Sequence, residues 1–257
     1  MVKIWPKLRE FSLRTSKDTS EFYDNLVAGR ERRSFLGVNN RYKVSSAIQS
    51  KFLERYFDSN VKKYIKSSDT ILDFGCGSGI FSRRMSFLCT KVIGVDISRG
   101  FIQSAISQND DNGNVRYHHI DTSFSFPERV TEMFDVVLSF DVIHHLEDAH
   151  TQLVNPLKLL KPSGRVLIYE PNLLNPAILL MHLFDKNERG LLRLGTPNRY
   201  RRLLAKYNLE IEHMSYSGIV IGPANRVFWW TAKLLESKYL SKIAWLNPKI
   251  FISCKKA

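Results

Sequence analysis

Ile71-Leu72-Asp73-Phe74-Gly75-Cys76-Gly77-Ser78-Gly79 decides how this 257-residue chain is read. An apolar strand ends on an acidic residue and runs into three glycines spaced two apart, after which a helical pattern begins at Ile80. Glycines at a strand-to-helix turn let the backbone approach a ligand, and the N–H groups of the helix start face it. The spacing is not the dinucleotide fingerprint G-x-G-x-x-G, because the third glycine arrives one position early, and no Gly-Lys-Ser/Thr follows for a phosphate loop. Asp73 sharpens the distinction, since a carboxylate beside the turn repels a pyrophosphate and suits a ligand that is cationic at that end.

Working outward, Gly94-Val95-Asp96-Ile97 closes the next apolar run and puts a carboxylate where folds of this kind hold ribose hydroxyls. One carboxylate accepts from both hydroxyls at once. Short apolar runs alternating with polar helical stretches predict strands near 70–74, 91–96, 114–119, 134–140 and 164–170, with helices near 79–88, 98–108 and 149–160. That alternation is the pattern of βαβ units and a parallel sheet. Before it, helices are expected at 20–28 and 44–66, where Val44, Ile48, Phe52 and Tyr56 recur four apart. After Pro171 come an apolar segment (Leu173 to Phe184), a basic helix near 198–206, a strand near 209–216, two short helices across 224–246 and a last strand near 249–254.

Taken in order, these residues resemble the class I S-adenosylmethionine-dependent methyltransferases, over residues 68–170 closely and through the tail loosely. Further strings belong to the same resemblance: Phe134-Asp135 through Phe140-Asp141 to His144-His145-Leu146, and Leu160-Lys-Pro162-Ser-Gly164-Arg-Val-Leu-Ile, as in the small-molecule, quinone-type branch (types 11 and 12). The resemblance implies an α/β fold: a Rossmann-like, seven-stranded, mostly parallel sheet with helices on both faces. A helical N-terminal cap at 1–66 would precede a cofactor-binding domain at 67–257 with helical lid insertions near 172–206 and 222–247. It implies S-adenosyl-L-methionine as cofactor, with Asp73, Gly75, Gly77 and Gly79 under its methionine moiety, Asp96 on the ribose and Ile97 on the adenine. Asp121 and Thr122 fall where the family places a group for the adenine amine, and Ser139 and Phe140 lie at the end of the fourth strand.

Methyl transfer is an in-line displacement, so the protein aligns donor and nucleophile and supplies a base where the acceptor carries a proton. His144 and His145 are the candidate catalytic residues, since imidazole titrates near neutral pH; a purely structural role for either is the competing reading. Some related quinone O-methyltransferases carry a Glu-x-x-Glu-His metal site here, but Asp141-Val-Ile-His144-His145 lacks the middle carboxylate, and no metal is expected. The Asp/Asn-Pro-Pro-Tyr string of nucleobase amine methyltransferases is absent after strand four. The acceptor is therefore expected to be a small molecule or lipid-like.

Charge supports that order of preference. The chain carries net +13, but residues 1–66 hold +8, residues 67–170 hold −4 and residues 171–257 hold +9. A protein that coats nucleic acid along its whole face would not carry a negative centre, so nucleic acid is not expected as a partner. Cys76, Cys89 and Cys254 stand apart without a metal or disulfide pattern, which fits a reducing, cytoplasmic setting. No run reaches the roughly 18 apolar residues of a spanning helix, so the chain is expected to be soluble or peripheral. Along 224–246, Ala224, Val227, Phe228, Thr231, Leu234, Leu235 and Tyr239 share a helical face, with Trp229, Trp230, Arg226 and Lys233 outside its middle. Two readings stand: a lid over the site, or contact with an anionic membrane surface. Arg199, Arg201 and Arg202 offer either an anion contact or a solvated face. A cofactor-binding scaffold without catalysis and an RNA modifier remain as alternatives.

Overall fold

The computed structural model describes residues 14–29, 60–109, 113–128, 130–184, 190–218 and 226–256. Its strands are β1 (Thr70–Phe74), β2 (Lys91–Asp96), β3 (Val115–His119), β4 (Phe134–Phe140), β5 (Leu160–Pro171), β6 (Leu209–Ser217) and β7 (Lys249–Lys256). They form one sheet in the order β3-β2-β1-β4-β5-β7-β6. Pairs from β3 through β5 are parallel, and β7 runs antiparallel between β5 and β6. Val, Ile and Leu fill the central strands because both faces are covered: Ile71, Val92 and Val136 enter one apolar cluster, and Leu72, Ile93 and Val137 the other. The chain winds outward from β1 to β3 and then returns to β4 on the other side. The crevice at the carboxyl ends of β1 and β4 is thus the topological switch point, where ligands bind in open parallel sheets.

The helices are α1 (Ser16–Val27), α2 (Ile80–Ser86), α3 (Arg99–Ser107), α4 (Ala149–Gln152), α5 (Val154–Lys158), α6 (Pro176–Phe184), α7 (Leu191–Leu194), α8 (Pro197–Ala205) and α9 (Arg226–Leu235). The expected helix at 149–160 is two short ones. Pro156 has no N–H to give the Gln152 carbonyl, so one continuous helix breaks there. β5 starts at Leu160, ahead of the expected 164, through a register shift between Phe134 and Val136 on its neighbour. Residues 44–59 of the second expected N-terminal helix lie outside the described residues, and Lys62–Tyr64 is a single 3-10 turn. The second helix expected within 224–246 is instead two 3-10 turns, Leu240–Lys242 and Ala244–Leu246.

Among the described residues, α1 lies against the crevice, where Ser16, Thr19 and Tyr23 line it. Thr15 caps it reciprocally with Asp18, which fixes its start. Phe22 and Tyr23 pack on Phe101 of α3. Toward its C-terminal end Asp24 accepts from Ser98 Oγ (2.6 Å) and the Gly100 N–H (2.9 Å), and Ser20 Oγ donates to the Ile97 carbonyl (2.7 Å). At its start the Ser16 N–H donates to Glu147 Oε2 (2.9 Å), and Gln152 Nε2 donates to Ser16 Oγ (2.7 Å). One helix is thereby tied to the segment after β2 and to the segment after β4.

Candidate active site

The glycine turn leaves β1 with Gly75 at φ +76° and Gly77 at φ +53°, left-handed values that a side chain disfavours. The Gly75 and Cys76 N–H groups donate to the Val95 carbonyl (2.8 and 3.0 Å), and the Gly77 N–H donates to Asp96 Oδ2 (2.9 Å). Asp96 Oδ1 accepts from the Ser98 N–H (2.8 Å). Burial pushes the Asp96 carboxyl up to about 6 against the pull of these two N–H groups. A methyl at Gly75 would run into Val142, whereas nothing lies within 4 Å of one at Gly77. Gly79 is the N-cap of α2 and sits against Tyr117.

These groups line a cavity with about 1010 Å³ of unfilled space, its mouth included. Asp96, Ile97 and the glycine loop line it. Phe140, Asp141, Val142 and His145, from the end of β4 and the turn after it, line it too, with Val142 against Gly75. Ser16, Thr19 and Tyr23 of α1 close it, and Phe81 and Leu146 add apolar wall. His145 Nε2 lies 2.9 Å from Tyr23 Oη, with the rings edge to face. The turn carrying His145 is fixed from below by Glu170, fully buried at the end of β5. Glu170 Oε1 accepts from the Val142 and Ile143 N–H groups (2.8 Å each), and its Oε2 lies 2.5 Å from His144 Nδ1. Asp141 adopts φ +58°, gives its N–H to the Tyr169 carbonyl (2.8 Å) and pairs its carboxylate with the Lys249 ammonium.

Of the residues singled out in the sequence, Gly75, Gly77, Asp96, Ile97, Phe140 and His145 line this cavity together. The others stand elsewhere. Asp73 is 1% exposed behind the glycine turn and accepts from Ser82 Oγ (2.5 Å); burial, aided by the charge of Asp96, pushes it up to about 7. Asp121 is exposed and closes its own turn, accepting from the Ser123 and Ser125 N–H groups and Ser123 Oγ, which hold its carboxyl below the usual range. Thr122 beside it is exposed as well, and Ile120 and Phe124 face the cavity instead. Ser139 is buried under Phe140 in β4, and its Oγ has no hydrogen-bond partner among the described residues. His144 is 1% exposed and engaged with Glu170, so of the two histidines only His145 reaches the cavity.

Tyr23, Glu170 and Lys249 escaped the sequence reading. Tyr23 follows Phe22 in an amphipathic helix and looks like core. Lys249 opens an apolar strand and looks like a strand start. Glu170 had a usable signal: like Asp73 and Asp96, it is an acidic residue at the carboxyl end of an apolar strand. None of the described residues of α9 lines the cavity, whereas Ser16, Thr19 and Tyr23 of α1 do.

A family model described as a methyltransferase domain matches residues 43–214. The chain belongs to the class I S-adenosylmethionine-dependent methyltransferases. It is 35% identical to the ubiquinone biosynthesis O-methyltransferase of Ruegeria pomeroyi, over 70% of this chain and 73% of that one. It is 24% identical to the protein of that description from Dinoroseobacter shibae, over 87% and 94%. Against the one from Maricaulis maris it is 33% identical, and there the chain spans about half of the relative's length, 52%. Among solved structures, the [4+2]-cyclase SpnF superposes with a TM-score of 0.60 at 17% identity, covering 96% of this chain and 98% of that one. A Haloferax volcanii complex of the Trm112 methyltransferase activator with a methyltransferase gives 0.59 at 15%, covering 95% and 99%. Structural likeness at these identities carries the fold alone; the cyclase shows that one such fold hosts more than one reaction.

Class I methyltransferases use S-adenosyl-L-methionine, and the cavity fits it. Asp96 retains acceptor capacity for ribose hydroxyls beside Ile97, and the space at Gly77 is open to a ligand that lies against the backbone.

Proposed function

We propose that this methyltransferase methylates a hydroxyl group on a small-molecule acceptor with an apolar, lipid-like body. The observation that carries the reading is a single cavity at the sheet's switch point. It brings the Gly77–Asp96 cradle and the His145–Tyr23 pair together among aromatic walls. The O-methyltransferase names of the relatives support the same acceptor class.

When bound, the cofactor supplies a methyl group on a sulfonium. Asp96 would hold the ribose, the Gly75–Gly79 turn the methionine end and Ile97 the adenine, so that donor and acceptor meet in a fixed orientation. His145 takes the acceptor's proton, and Tyr23 orients its ring through the 2.9 Å hydrogen bond. Glu170 and His144 hold the turn that carries it. α1, bonded to both ends of the site, excludes water. In this reading α1 acts as a cap on the 67–257 domain.

The test is S-adenosylhomocysteine formation from S-adenosylmethionine with dihydroxybenzenes bearing alkyl tails of increasing length. Turnover that rises with tail length and is lost in Asp96→Ala is expected. Tight cofactor binding without turnover on any hydroxylated acceptor would favour a non-catalytic scaffold.

A second element of the proposal concerns place: a cytoplasmic protein peripheral at an anionic membrane. Val227, Trp230 and Leu234 of α9 and Tyr239 and Trp245 beyond it are exposed, with Trp230 at 65%. The Lys233 ammonium lies 5.3 Å from the Trp230 ring centroid. Exposed aromatics flanked by lysines suit headgroup depth and anionic lipid. Among the described residues no helix is long and apolar enough to cross a membrane. Sedimentation with vesicles containing phosphatidylglycerol, lost in a Trp230→Ser, Lys233→Gln variant, is the expected result; equal sedimentation of that variant would refute this element.

A further inference from the structure

Lys249 is a charged residue where a strand core calls for an apolar one. It opens β7, is 1% exposed, and pairs across the sheet with Pro171 of β5 and Ser217 of β6. Its ammonium passes over the Tyr169 ring, 5.2 Å from the centroid, and meets the Asp141 carboxylate at the cavity wall. Lysine is almost never fully buried unless paired, and a buried ion pair is a poor stabiliser compared with apolar residues of the same volume. Asp141 adds a second local cost, a left-handed backbone at a residue with a side chain. Two unfavourable features meeting on one cavity wall mark a place where the local rules yield to a task.

We infer that Asp141 anchors the acceptor through a hydroxyl donor and that Lys249 is its positioning residue, holding the carboxylate anionic and aimed along the wall. The inference rests on the reading that the cavity takes a hydroxylated acceptor, and it assigns that recognition to a pair the sequence keeps 108 positions apart. The surroundings define what the pair selects. With Phe81, Phe140 and Leu146 lining the same space, an acceptor gains apolar contact from every side but finds an anion at Asp141. A hydroxyl donates to that anion in a charge-assisted hydrogen bond, whereas an ether presents only lone pairs and is repelled. The ammonium behind the carboxylate offsets its charge at the wall.

The experiment uses the full chain saturated with S-adenosylhomocysteine and titrates 4-butylcatechol and its dimethyl ether by calorimetry, on wild type, Asp141→Asn, Lys249→Met and the double variant. The double variant removes both charges together, leaves no orphaned ion and keeps the comparison open should a single variant fold poorly. Wild type should prefer the diol by at least about tenfold, as sites built to bond a hydroxyl do. The preference should fall to within about threefold in all three variants, with S-adenosylhomocysteine affinity held within about twofold. Retention of the wild-type preference by Asp141→Asn or by the double variant would overturn the inference. So would a loss of preference matched by an equal loss of S-adenosylhomocysteine affinity, which would place Asp141 on the cofactor. If wild type binds S-adenosylhomocysteine but neither aromatic, the acceptor reading fails and the inference with it; if it does not bind S-adenosylhomocysteine, the cofactor site itself is refuted.

Discussion

Gly75 and Gly77 stand two residues apart in one turn, both left-handed, yet a methyl group should act on them through different physics. At Gly75, φ +76° costs a side-chain-bearing residue about 1–2 kcal/mol. The new methyl would also lie 2.8 Å from Val142 Cγ1 and closer still to Cγ2. Overpacking of that kind adds about 1–3 kcal/mol. Gly75→Ala should therefore lose about 2–5 kcal/mol of unfolding free energy in urea, and Gly77→Ala, with nothing within 4 Å, only about 1–2 kcal/mol. Adding Val142→Ala to Gly75→Ala should recover the steric part and leave the backbone part. S-adenosylhomocysteine affinity should follow the opposite order. The open space at Gly77 faces the cavity, so its methyl displaces ligand while barely touching the fold. Urea unfolding and calorimetry on the three variants check both orders. Equal stability losses at the two glycines, or no recovery with Val142→Ala, would refute the assignment of Val142 as the neighbour that forbids a side chain.

Ribose hydroxyls favour the charged form of Asp96, so cofactor binding should draw its carboxyl below about 6 and release a proton; S-adenosylhomocysteine affinity should rise from pH 5 toward 7, and a flat profile would count against the assignment. Asp73, raised to about 7 by burial, keeps a proton in the folded state that the unfolded chain releases near 4, so stability falls as pH climbs through that window. Asp73→Asn should flatten that slope and leave the protein more stable than wild type above pH 7, measured by urea unfolding across pH. Glu170→Gln puts an amide against His144 and weakens the bonds from Val142 and Ile143; a loss of about 1–3 kcal/mol is expected, with kcat lowered more than the S-adenosylhomocysteine Kd is raised. Tyr23→Phe should leave the urea midpoint nearly unchanged and shift the pH profile of kcat, because the phenol touches the proton-accepting imidazole.

What could be read in the sequence was whatever is local. The glycine turn, the acidic end of β2 and the βαβ alternation each occupy a few consecutive residues whose backbone demands show directly in residue type. The seven strands accordingly lie close to their expected places. An acidic residue after a strand has two uses, and the sequence does not show that Asp121 closes its own turn through Ser123 and Ser125. His144 and His145 are adjacent and chemically alike. Only the buried carboxylate of Glu170, 26 positions later, separates the buried imidazole from the one at the cavity. Lys249 and Tyr23 were invisible for the same reason: their partners, Asp141 and His145, lie more than a hundred positions away. The shared apolar face of α9 carries Val227 and Leu234 out into solvent. A helical wheel finds a face but not what covers it.

The charge pattern acquires its meaning from the same geometry. The centre of the chain is net negative although the whole carries net +13. Four of its carboxylates, Asp73, Asp96, Asp141 and Glu170, stand at the carboxyl ends of β1, β2, β4 and β5 around the switch point. Each is kept there by a different device: a hydroxyl and a raised pKa for Asp73, two backbone N–H groups for Asp96, a buried ammonium for Asp141, and two N–H groups with an imidazole for Glu170. Of the four, Asp96 and Asp141 line the cavity, and carboxylates there suit a ligand bearing an ammonium and a sulfonium better than a dinucleotide pyrophosphate. The two carboxyls nearest the glycine turn are the ones burial has pushed toward neutrality, to about 6 and about 7. A cationic ligand reverses that push, since its charge replaces the solvation that burial removed. Entry of the cofactor should therefore be accompanied by proton release from these carboxyls.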